Sequence, residues 1–194
     1  MKLTTNIQKT IIKSAVLHNG QIRKESDVPF IIHPYSVAVI LSDYTDDEDT
    51  IIAGLLHDVL EDVPNYYEAD MKRDFGEKIT EIVKGVSEVK DPNNNLNEKE
   101  TWLYRKNKYV DRLKEDSKES LMVSAADKIH NLNSMMDAYE KRGEKSFENF
   151  NSSIKDRLWY HGEVLNVLKE RLDNKIVIEL EDRYKEAEKF FKTA

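Results

Sequence analysis

Apolar residues recur along most of the chain at the three- and four-residue spacing of an amphipathic helix. Between residues 4 and 18 one face carries Ile7, Ile11, Ile12 and Ala15, and the pattern stops near Asn19-Gly20, a common helix end. The same spacing predicts further helices over 34–44, 49–62, 66–74, 77–88, 100–115, 118–138, 150–172 and 174–191. Six glycines and four prolines leave few tight turns, and no segment is a convincing strand. The pattern predicts an all-α, single-domain bundle of about eight to ten helices.

Three of the predicted connections have a distinct composition. Residues 19–32 form a loop that contains Arg23 and Lys24. The acidic stretch SDYTDDED, 42–49, is placed to cap the next helix and to interact with its dipole. The polar stretch KDPNNNLNEKE, 90–100, is predicted to be the most mobile internal loop.

Composition narrows the classes of partner. With 39% hydrophobic residues, 35% charged residues and a net charge of −7, the chain has enough apolar residues for a core but no basic excess. We therefore expect neither nucleic acid nor an anionic membrane as a partner. An anionic small-molecule substrate would need a metal ion or a few well-placed basic side chains beside it.

The absence of cysteine excludes disulfides, thiolate zinc sites and cysteine nucleophiles, and it fits a reducing compartment. The N-terminal residues lack the apolar region and cleavage site of a signal peptide, and no apolar run is long enough to span a bilayer. The expected location is therefore cytoplasmic.

The predicted helix over 49–62 combines two unlike halves. Residues 51–56 are almost entirely apolar, whereas His57, Asp58, Glu61 and Asp62 follow at its end. On a helix, residues three or four apart share a face, so His57 pairs with Glu61 and Asp58 with Asp62. Burying an unpaired charge in the low-dielectric interior of a protein costs on the order of several kcal/mol.

Two further segments end in polar groups. His33 closes the run VPFIIH directly before Pro34, and Asp127 closes LMVSAAD with Asn131 one turn later. Proline favours the first turn of a helix, where the helix dipole disfavours imidazolium and leaves the neutral, metal-binding imidazole. Two histidines and two aspartates at the edges of apolar segments suit a divalent ion with nitrogen and oxygen ligands.

Taken singly, each of these residues is more often a helix cap or an ordinary hydrogen bonder. We interpret the remaining histidines and one lysine in the same way. We expect His18 to interact with a helix end, His161 to pack in the core, His130 to face away from the site and Lys128 to be solvated. The combination of polar groups, rather than any one of them, indicates function.

Four sequence segments together resemble the RelA/SpoT-type hydrolase branch of the HD-domain metal-dependent phosphohydrolases. They are IRKESDVPFIIHPYSVAVIL, AGLLHDVLED, RDFGEKITEIVKGVSEV and SAADKIHNL. The similarity runs from about residue 15 to 137 and continues more weakly over 157–168. It implies an HD hydrolase domain over residues 1–194, with a metal-site core at about 20–137 and C-terminal helices, 150–191, packed on it.

The resemblance also implies roles for individual residues. One divalent ion, manganese in that family, would be bound by His33, His57, Asp58 and Asp127. Glu61 and Asp62 match the Glu-Asp pair that acts on water or on the leaving group, and sequence does not divide these roles between them. Residues Arg23, Lys24 and Asn131 match substrate-contacting positions. The implied reaction is hydrolysis of the 3′-diphosphate of the alarmone (p)ppGpp to GDP or GTP and pyrophosphate.

Alternatives remain open at this point. The segment Glu25-Ser26-Asp27-Val28 lacks the glycine that family members often have there, and its two acids could alter substrate geometry or affinity. The same ligands would serve an HD-type phosphohydrolase acting on another nucleotide or phosphate ester. A non-catalytic metal- or nucleotide-binding regulator and a purely structural bundle are further alternatives. The sequence does not indicate the oligomeric state.

Overall fold

The apolar spacing does produce helices, as the computed structural model shows for residues 2–88 and 98–193. In chain order the α-helices are α1 (Thr5–Leu17), α2 (Ile32–Leu41), α3 (Glu48–Leu56), α4 (Val59–Asp62), α5 (Glu68–Phe75), α6 (Glu77–Val86), α7 (Glu98–Leu113), α8 (Lys118–Arg142), α9 (Ile154–Arg171) and α10 (Ile176–Thr193). A 3₁₀ helix, Gly143–Phe147, follows α8. The all-α prediction is therefore confirmed. The predicted loop over 90–100 lies outside the described residues, except for 98–100, which begin α7.

The loop between α1 and α2 is closed by an isolated antiparallel bridge between Ile22 and Pro29. The N–H of Phe30 donates to the carbonyl of Gln21 at 2.9 Å, and the N–H of Arg23 donates to that of Val28 at 3.1 Å. This short ladder gives the loop a defined shape. It therefore fixes the backbone from which Arg23 extends.

The acidic stretch before α3 caps that helix, as its sequence predicted. The carboxylate of Asp47 accepts from the backbone N–H of Thr50 at 3.0 Å, and Glu48 and Asp49 occupy the first turn. Carboxylates at a helix N-terminus satisfy free N–H groups and interact favourably with the helix dipole. The start of the most buried helix is therefore fixed by local chemistry.

The prediction of one continuous helix over 49–62 is wrong. Helix α3 ends at Leu56, and α4 begins at Val59 after a turn formed by His57 and Asp58. The His57 ring nitrogen Nδ1 lies 2.8 Å from the carbonyl of Gly54, the group that would accept from the N–H of Asp58 in a continuing α-helix. The side chain of His57 thus competes with helix propagation, a contact that apolar periodicity does not reveal.

Helix α8 is the centre of the bundle. It packs against α2, α3, α6, α9 and α10, and every residue from Ser120 to Ile129 is buried. Helix α3 approaches α2 closely, because a Cβ atom at Gly54 would overlap the side chain of Leu41. The polar residues at the ends of α3 and in α8 are therefore held by closely packed helices. Among the described helices, none has the length and apolar character needed to cross a bilayer.

Candidate metal centre and adjoining pocket

Three buried elements supply the four predicted metal ligands. His33 lies in the first turn of α2, His57 and Asp58 form the turn between α3 and α4, and Asp127 lies in the buried half of α8. His33 and His57 expose only 2% and 3% of their surface. Because α2 and α8 both pack against α3, three segments that are far apart in the sequence, around residues 33, 57 and 127, meet at one point.

The ligand atoms of these four residues converge. The Nε2 atom of His33 lies 3.1 Å from His57 Nε2, 3.1 Å from Asp127 Oδ1 and 3.4 Å from Asp58 Oδ2. The Nε2 atom of His57 lies 3.2 Å from Asp58 Oδ2 and 3.8 Å from Asp127 Oδ1. His33, His57 and Asp58 each offer an atom within 4.8 Å of the others, a grouping that could hold a metal ion.

The electrostatics of the cluster favour positive charge at its centre. Burial opposes charging of His57, yet the carboxylates of Asp58 and Asp127 raise its pKa to about 9. Burial likewise opposes ionisation of Asp127, but Lys128 and His33 hold the pKa of that carboxyl well below its usual range. The pKa of His33 is lowered, mainly by burial. The two carboxylates therefore stay ionised, and a cation between them would offset their charge.

The donor set fits a divalent ion. Imidazole nitrogens and carboxylate oxygens are ligands for first-row divalent metals, and no thiolate is present to select a softer ion. Because His57 Nδ1 donates to the carbonyl of Gly54, its Nε2 faces the cluster, where a metal ion would replace the ring proton that Asp58 and Asp127 otherwise favour. Such an outer hydrogen bond fixes the tautomer and orientation of a metal-binding histidine.

Helix α4 brings Glu61 and Asp62 to the wall of the same pocket. Glu61 Oε2 accepts from the backbone N–H of Glu88 at 3.1 Å. Burial, together with the charges of Glu88, Asp58 and Asp62, raises the pKa of Glu61 to about 7. Asp62 is more exposed, and its backbone carbonyl accepts from the Gln21 side chain at 2.7 Å. A carboxyl with a pKa near neutrality can take up or release a proton at physiological pH.

A hydrogen-bonded chain connects Arg23 to the metal cluster. Arg23 Nη2 donates to Asn131 Oδ1 at 3.0 Å, and Asn131 Nδ2 donates to Asp127 Oδ1 at 2.5 Å. Arg23 also pairs with the buried carboxylate of Glu25, to which its Nε donates at 2.7 Å. Lys24 is exposed at the pocket rim. All three predicted substrate residues therefore line the same pocket as the ligands.

The pocket has a volume of about 470 Å³, within the range of roughly 300–1,000 Å³ typical of small-molecule sites. Its lining includes three basic residues that the sequence did not identify as functional, Lys106, Lys128 and Arg157. Lys106 contacts Glu88 and lies 4.6 Å from the centre of the Tyr160 ring. These residues come from α7, α8 and α9, so no short sequence motif contains all three.

The expectation that Lys128 is solvated is wrong. Its side chain is buried, forms an ion pair with Asp127 and lies 5.1 Å and 5.2 Å from the ring centres of Tyr109 and Tyr160. Burial alone would disfavour the ammonium form, but Asp127 raises its pKa well above the usual value. The adjacent carboxylate is thus what retains a charged lysine in the interior.

Two of the remaining histidines also border the site. His130 does not face away, because its Nδ1 lies 2.8 Å from Nδ1 of His33. Burial, with the neighbouring His33 and Arg23, lowers the pKa of His130 to about 3. His161 is buried, as predicted, but it also lines the pocket. The three-residue spacing from Asp127 was the available signal for His130, because it places both residues on one side of α8.

Comparison with known proteins adds a family and relatives. The sequence model of the HD domain family matches residues 12–151. Over 118 residues the chain is 36% identical to the bifunctional (p)ppGpp synthase/hydrolase SpoT of Escherichia coli K12, covering 61% of this chain and 16% of that protein. It is 34% identical over 131 residues to the guanosine-3′,5′-bis(diphosphate) 3′-pyrophosphohydrolase of Borreliella burgdorferi, covering 67% of this chain and 19% of that protein. The chain thus spans less than a fifth of these relatives.

Two solved structures resemble the fold. One belongs to work described as "A metazoan ortholog of SpoT hydrolyzes ppGpp and plays a role in starvation responses"; it has a TM-score of 0.74 and 22% identity, covering 96% of this chain and 97% of that one. The other is the crystal structure of lmo0812 from Listeria monocytogenes EGD-e, with a TM-score of 0.66 and 27% identity, covering 79% of this chain and 96% of that one. Both likenesses extend beyond the metal cluster to most of the helical bundle.

Proposed function

The chain belongs to the HD domain family, and we propose that it is a metal-dependent phosphohydrolase that removes the 3′-diphosphate of (p)ppGpp. The products would be pyrophosphate and GDP or GTP. The names of the relatives from Escherichia coli O157:H7 and Haemophilus influenzae, both guanosine-3′,5′-bis(diphosphate) 3′-pyrophosphohydrolases, support this substrate.

One observation carries the proposal. The four converging ligand atoms lie in the same pocket as five basic side chains of the described residues, which are Arg23, Lys24, Lys106, Lys128 and Arg157. The chain as a whole has a net charge of −7. The pocket lining also holds six carboxylates, those of Glu25, Asp58, Glu61, Asp62, Glu88 and Asp127, so a bound divalent cation would be needed to make the pocket positive overall. A metal-ligand cluster beside a basic wall suits a substrate with several phosphate groups.

For the metal ion we propose Mn²⁺, bound by His33, His57, Asp58 and Asp127. Two carboxylates and two imidazoles without a thiolate are compatible with this ion. When bound, a divalent ion supplies Lewis acidity towards water and phosphoryl oxygen. The side chains of the four proposed ligands extend from two buried helices and from the turn between α3 and α4, so they would require little reorganisation to hold it.

The protein groups then have separable tasks. Hydrolysis forms a bond from water oxygen to the phosphorus attached to the ribose O3′ and breaks the bond from that phosphorus to O3′. One proton leaves the water and one must reach O3′. We propose that Glu61 either accepts the proton that leaves the water or donates the proton that reaches O3′. Its pKa is raised to about 7 by burial and by neighbouring carboxylates, so it can do either near neutral pH. Asp62, on the same short helix, would orient water or substrate.

The basic wall would hold the nucleotide. Arg23 is oriented by Glu25 and Asn131, so its guanidinium is available as a planar surface for the base as well as a donor. Lys24 at the rim and Lys106 deeper in the pocket would contact phosphate oxygens. These contacts would place the scissile phosphorus beside the metal ligands.

A second candidate is an HD-type phosphohydrolase acting on another phosphorylated nucleotide. It is favoured by Glu25, whose buried carboxylate already neutralises Arg23. The other acid of that loop, Asp27, is exposed and lies 3.9 Å from Arg142. Of the two acids in this loop, only Glu25 therefore bears on phosphate affinity in the pocket.

The test incubates purified protein and Mn²⁺ with ppGpp, GTP, guanosine 3′-monophosphate and p-nitrophenyl phosphate, with products resolved by anion exchange. The proposal expects GDP and pyrophosphate from ppGpp and little turnover of the others. The Arg23→Ala variant should lose mainly the ppGpp reaction. Metal-loaded protein that turns over another compound faster would favour the second candidate, and tight ppGpp binding without products would indicate a regulator.

A further inference from the structure

The imidazole of His130 lies directly against that of the proposed ligand His33. The two Nδ1 atoms are 2.8 Å apart, and the ring centres are 4.8 Å apart with an interplanar angle of 46°. The next contact of His130 Nδ1 is the hydroxyl of Ser134 at 3.4 Å, one turn further along α8. The shorter contact is a hydrogen bond between two ring nitrogens.

A hydrogen bond between two nitrogens requires one donor and one acceptor. If His33 presents the lone pair of Nε2 to a metal ion, its ring proton is on Nδ1, and His130 Nδ1 is then the acceptor. His57 meets the same requirement with the carbonyl of Gly54. The two ligands therefore obtain the same orienting contact from different sources, backbone for one and a side chain for the other.

We infer that His130 is a positioning residue for the metal centre: its Nδ1 accepts the Nδ1–H of His33 and thereby fixes the tautomer and ring orientation of that ligand. His130 contacts the proposed ligand His33 but is not itself among the described residues grouped around the possible metal position. Its place on α8, three residues after Asp127, allows one helix to supply a ligand and to orient a second ligand.

A packing role alone would predict different behaviour. The His33 ring also contacts Phe30 edge-on, with ring centres 5.9 Å apart, and contacts the ring of His57 at 4.9 Å. These rings would hold the imidazole plane even without a nitrogen at position 130. An aromatic ring that lacks the acceptor therefore separates packing from hydrogen bonding.

The inference rests on the proposed metal centre, so its test measures metal binding and not turnover. Isothermal titration of metal-free protein with Mn²⁺ would compare wild type with His130→Phe, which keeps a ring, and His130→Gln, which keeps an acceptor. His130→Phe should weaken affinity about 10–100-fold, as loss of an orienting partner typically does. His130→Gln should recover most of the loss. The control, Asp137→Asn, alters an exposed ion pair with Lys141 further along the same helix and outside the pocket, and it should leave Mn²⁺ affinity unchanged.

A second measurement needs no variant. In the diamagnetic Zn²⁺ form, ¹⁵N-labelled histidine spectra of wild type should show His33 protonated at Nδ1, with scalar coupling to Nδ1 of His130. An unprotonated His33 Nδ1 would overturn the inference even if His130→Phe failed to fold. So would equal affinities of wild type and His130→Phe, or equal losses in His130→Phe and His130→Gln. Failure of wild type to bind any divalent ion would instead contradict the proposed metal centre.

Discussion

The two walls of the pocket are built in different ways. The side of the proposed metal ligands uses His33, His57, Asp58 and Asp127, whose side chains converge from the first turn of α2, the turn between α3 and α4, and the buried half of α8. The basic side uses long side chains, and four of its five residues are each held by another side chain: Arg23 by Glu25, Lys106 by Glu88, Lys128 by Asp127, and Arg157 over the ring of Phe150.

This difference has a physical consequence. Helix packing determines the ligand geometry, because a buried backbone cannot move by an ångström without opening cavities. Side-chain pairing determines the positions of the basic groups, because their long stems have many rotamers and each ion pair selects one. Substitutions on the metal-ligand side should therefore alter metal occupancy and the rate of hydrolysis, whereas substitutions on the basic side should alter substrate affinity.

The largest expected effect is that of Asp127→Asn, which keeps the shape of the ligand but removes its charge. Metal content should fall, and the rate of ppGpp hydrolysis should fall by about 10⁴-fold, since several kcal/mol of charge stabilisation are lost. Metal content by mass spectrometry and initial rates provide the measurement. Asp111→Asn, at an exposed ion pair on α7, is the matched control. Unchanged metal content in Asp127→Asn would contradict the assignment of this side of the pocket.

Glu61→Gln should give the next largest effect. Because a proton-transfer group typically contributes about 10²–10⁴-fold, kcat should fall by that factor. Mn²⁺ affinity should stay close to that of wild type, since Glu61 is not among the converging ligands. A fall in Mn²⁺ affinity as large as the fall in kcat would indicate that Glu61 is itself a metal ligand. Metal binding and proton transfer would then not be separate roles. Titration with Mn²⁺ beside steady-state kinetics separates the two results.

The unequal construction of the two walls also explains what the sequence could predict. The four proposed ligands could be singled out from sequence because each is a polar residue at the edge of an apolar run, and such residues need a reason to be buried. Lys106 and Arg157 lie 51 positions apart on α7 and α9, and solvated basic residues have the same sequence appearance. Their burial depends on partners that only the folded chain brings near.

Two errors have the same origin. Periodicity predicted an unbroken helix through His57, because the hydrogen bond from its ring to Gly54 is not encoded in apolar spacing. Lys128 was predicted to be solvated because most lysines are, and the sequence does not show that its side chain packs beside the rings of Tyr109 and Tyr160. The helices and the set of polar residues that meet in the cluster were thus accessible from local patterns, whereas the contacts that orient them depend on tertiary structure.

Lys106→Met tests the basic side alone. Loss of a charged hydrogen bond to phosphate should raise KM for ppGpp about 10–100-fold, with a smaller effect on kcat and none on Mn²⁺ affinity. Lys108→Met on the same helix is the matched control, because Lys108 is exposed and lies outside the pocket. If Lys106→Met lowered metal affinity, the two sides would not be independent. Saturation kinetics over a wide substrate range provide the measurement.

The smallest expected effect is on the pH dependence of stability, and it concerns Glu61, which lies where the metal-ligand side and the basic side meet. Burial, then Glu88 on the basic side and Asp58 on the metal side, raise its pKa from 4.5 to about 7 in the folded protein. Between these values the folded state binds more protons than the unfolded state, so this residue stabilises the fold below about pH 4.5 and loses that contribution as pH rises through 7.

Glu61→Gln removes this titration but keeps an acceptor for the N–H of Glu88. The stability of the variant relative to wild type should therefore rise between pH 5 and pH 8, by about 1–2 kcal/mol after allowance for partial exposure. Urea unfolding of both proteins in chelator at several pH values measures the difference. If the difference in unfolding free energy did not change with pH, Glu61 would titrate as an ordinary carboxyl. The carboxylates of Glu88 and Asp58 would then not raise its pKa. A rising difference that grows further in Lys106→Met, which removes a nearby positive charge, would demonstrate electrostatic coupling between the metal side and the basic side through Glu61.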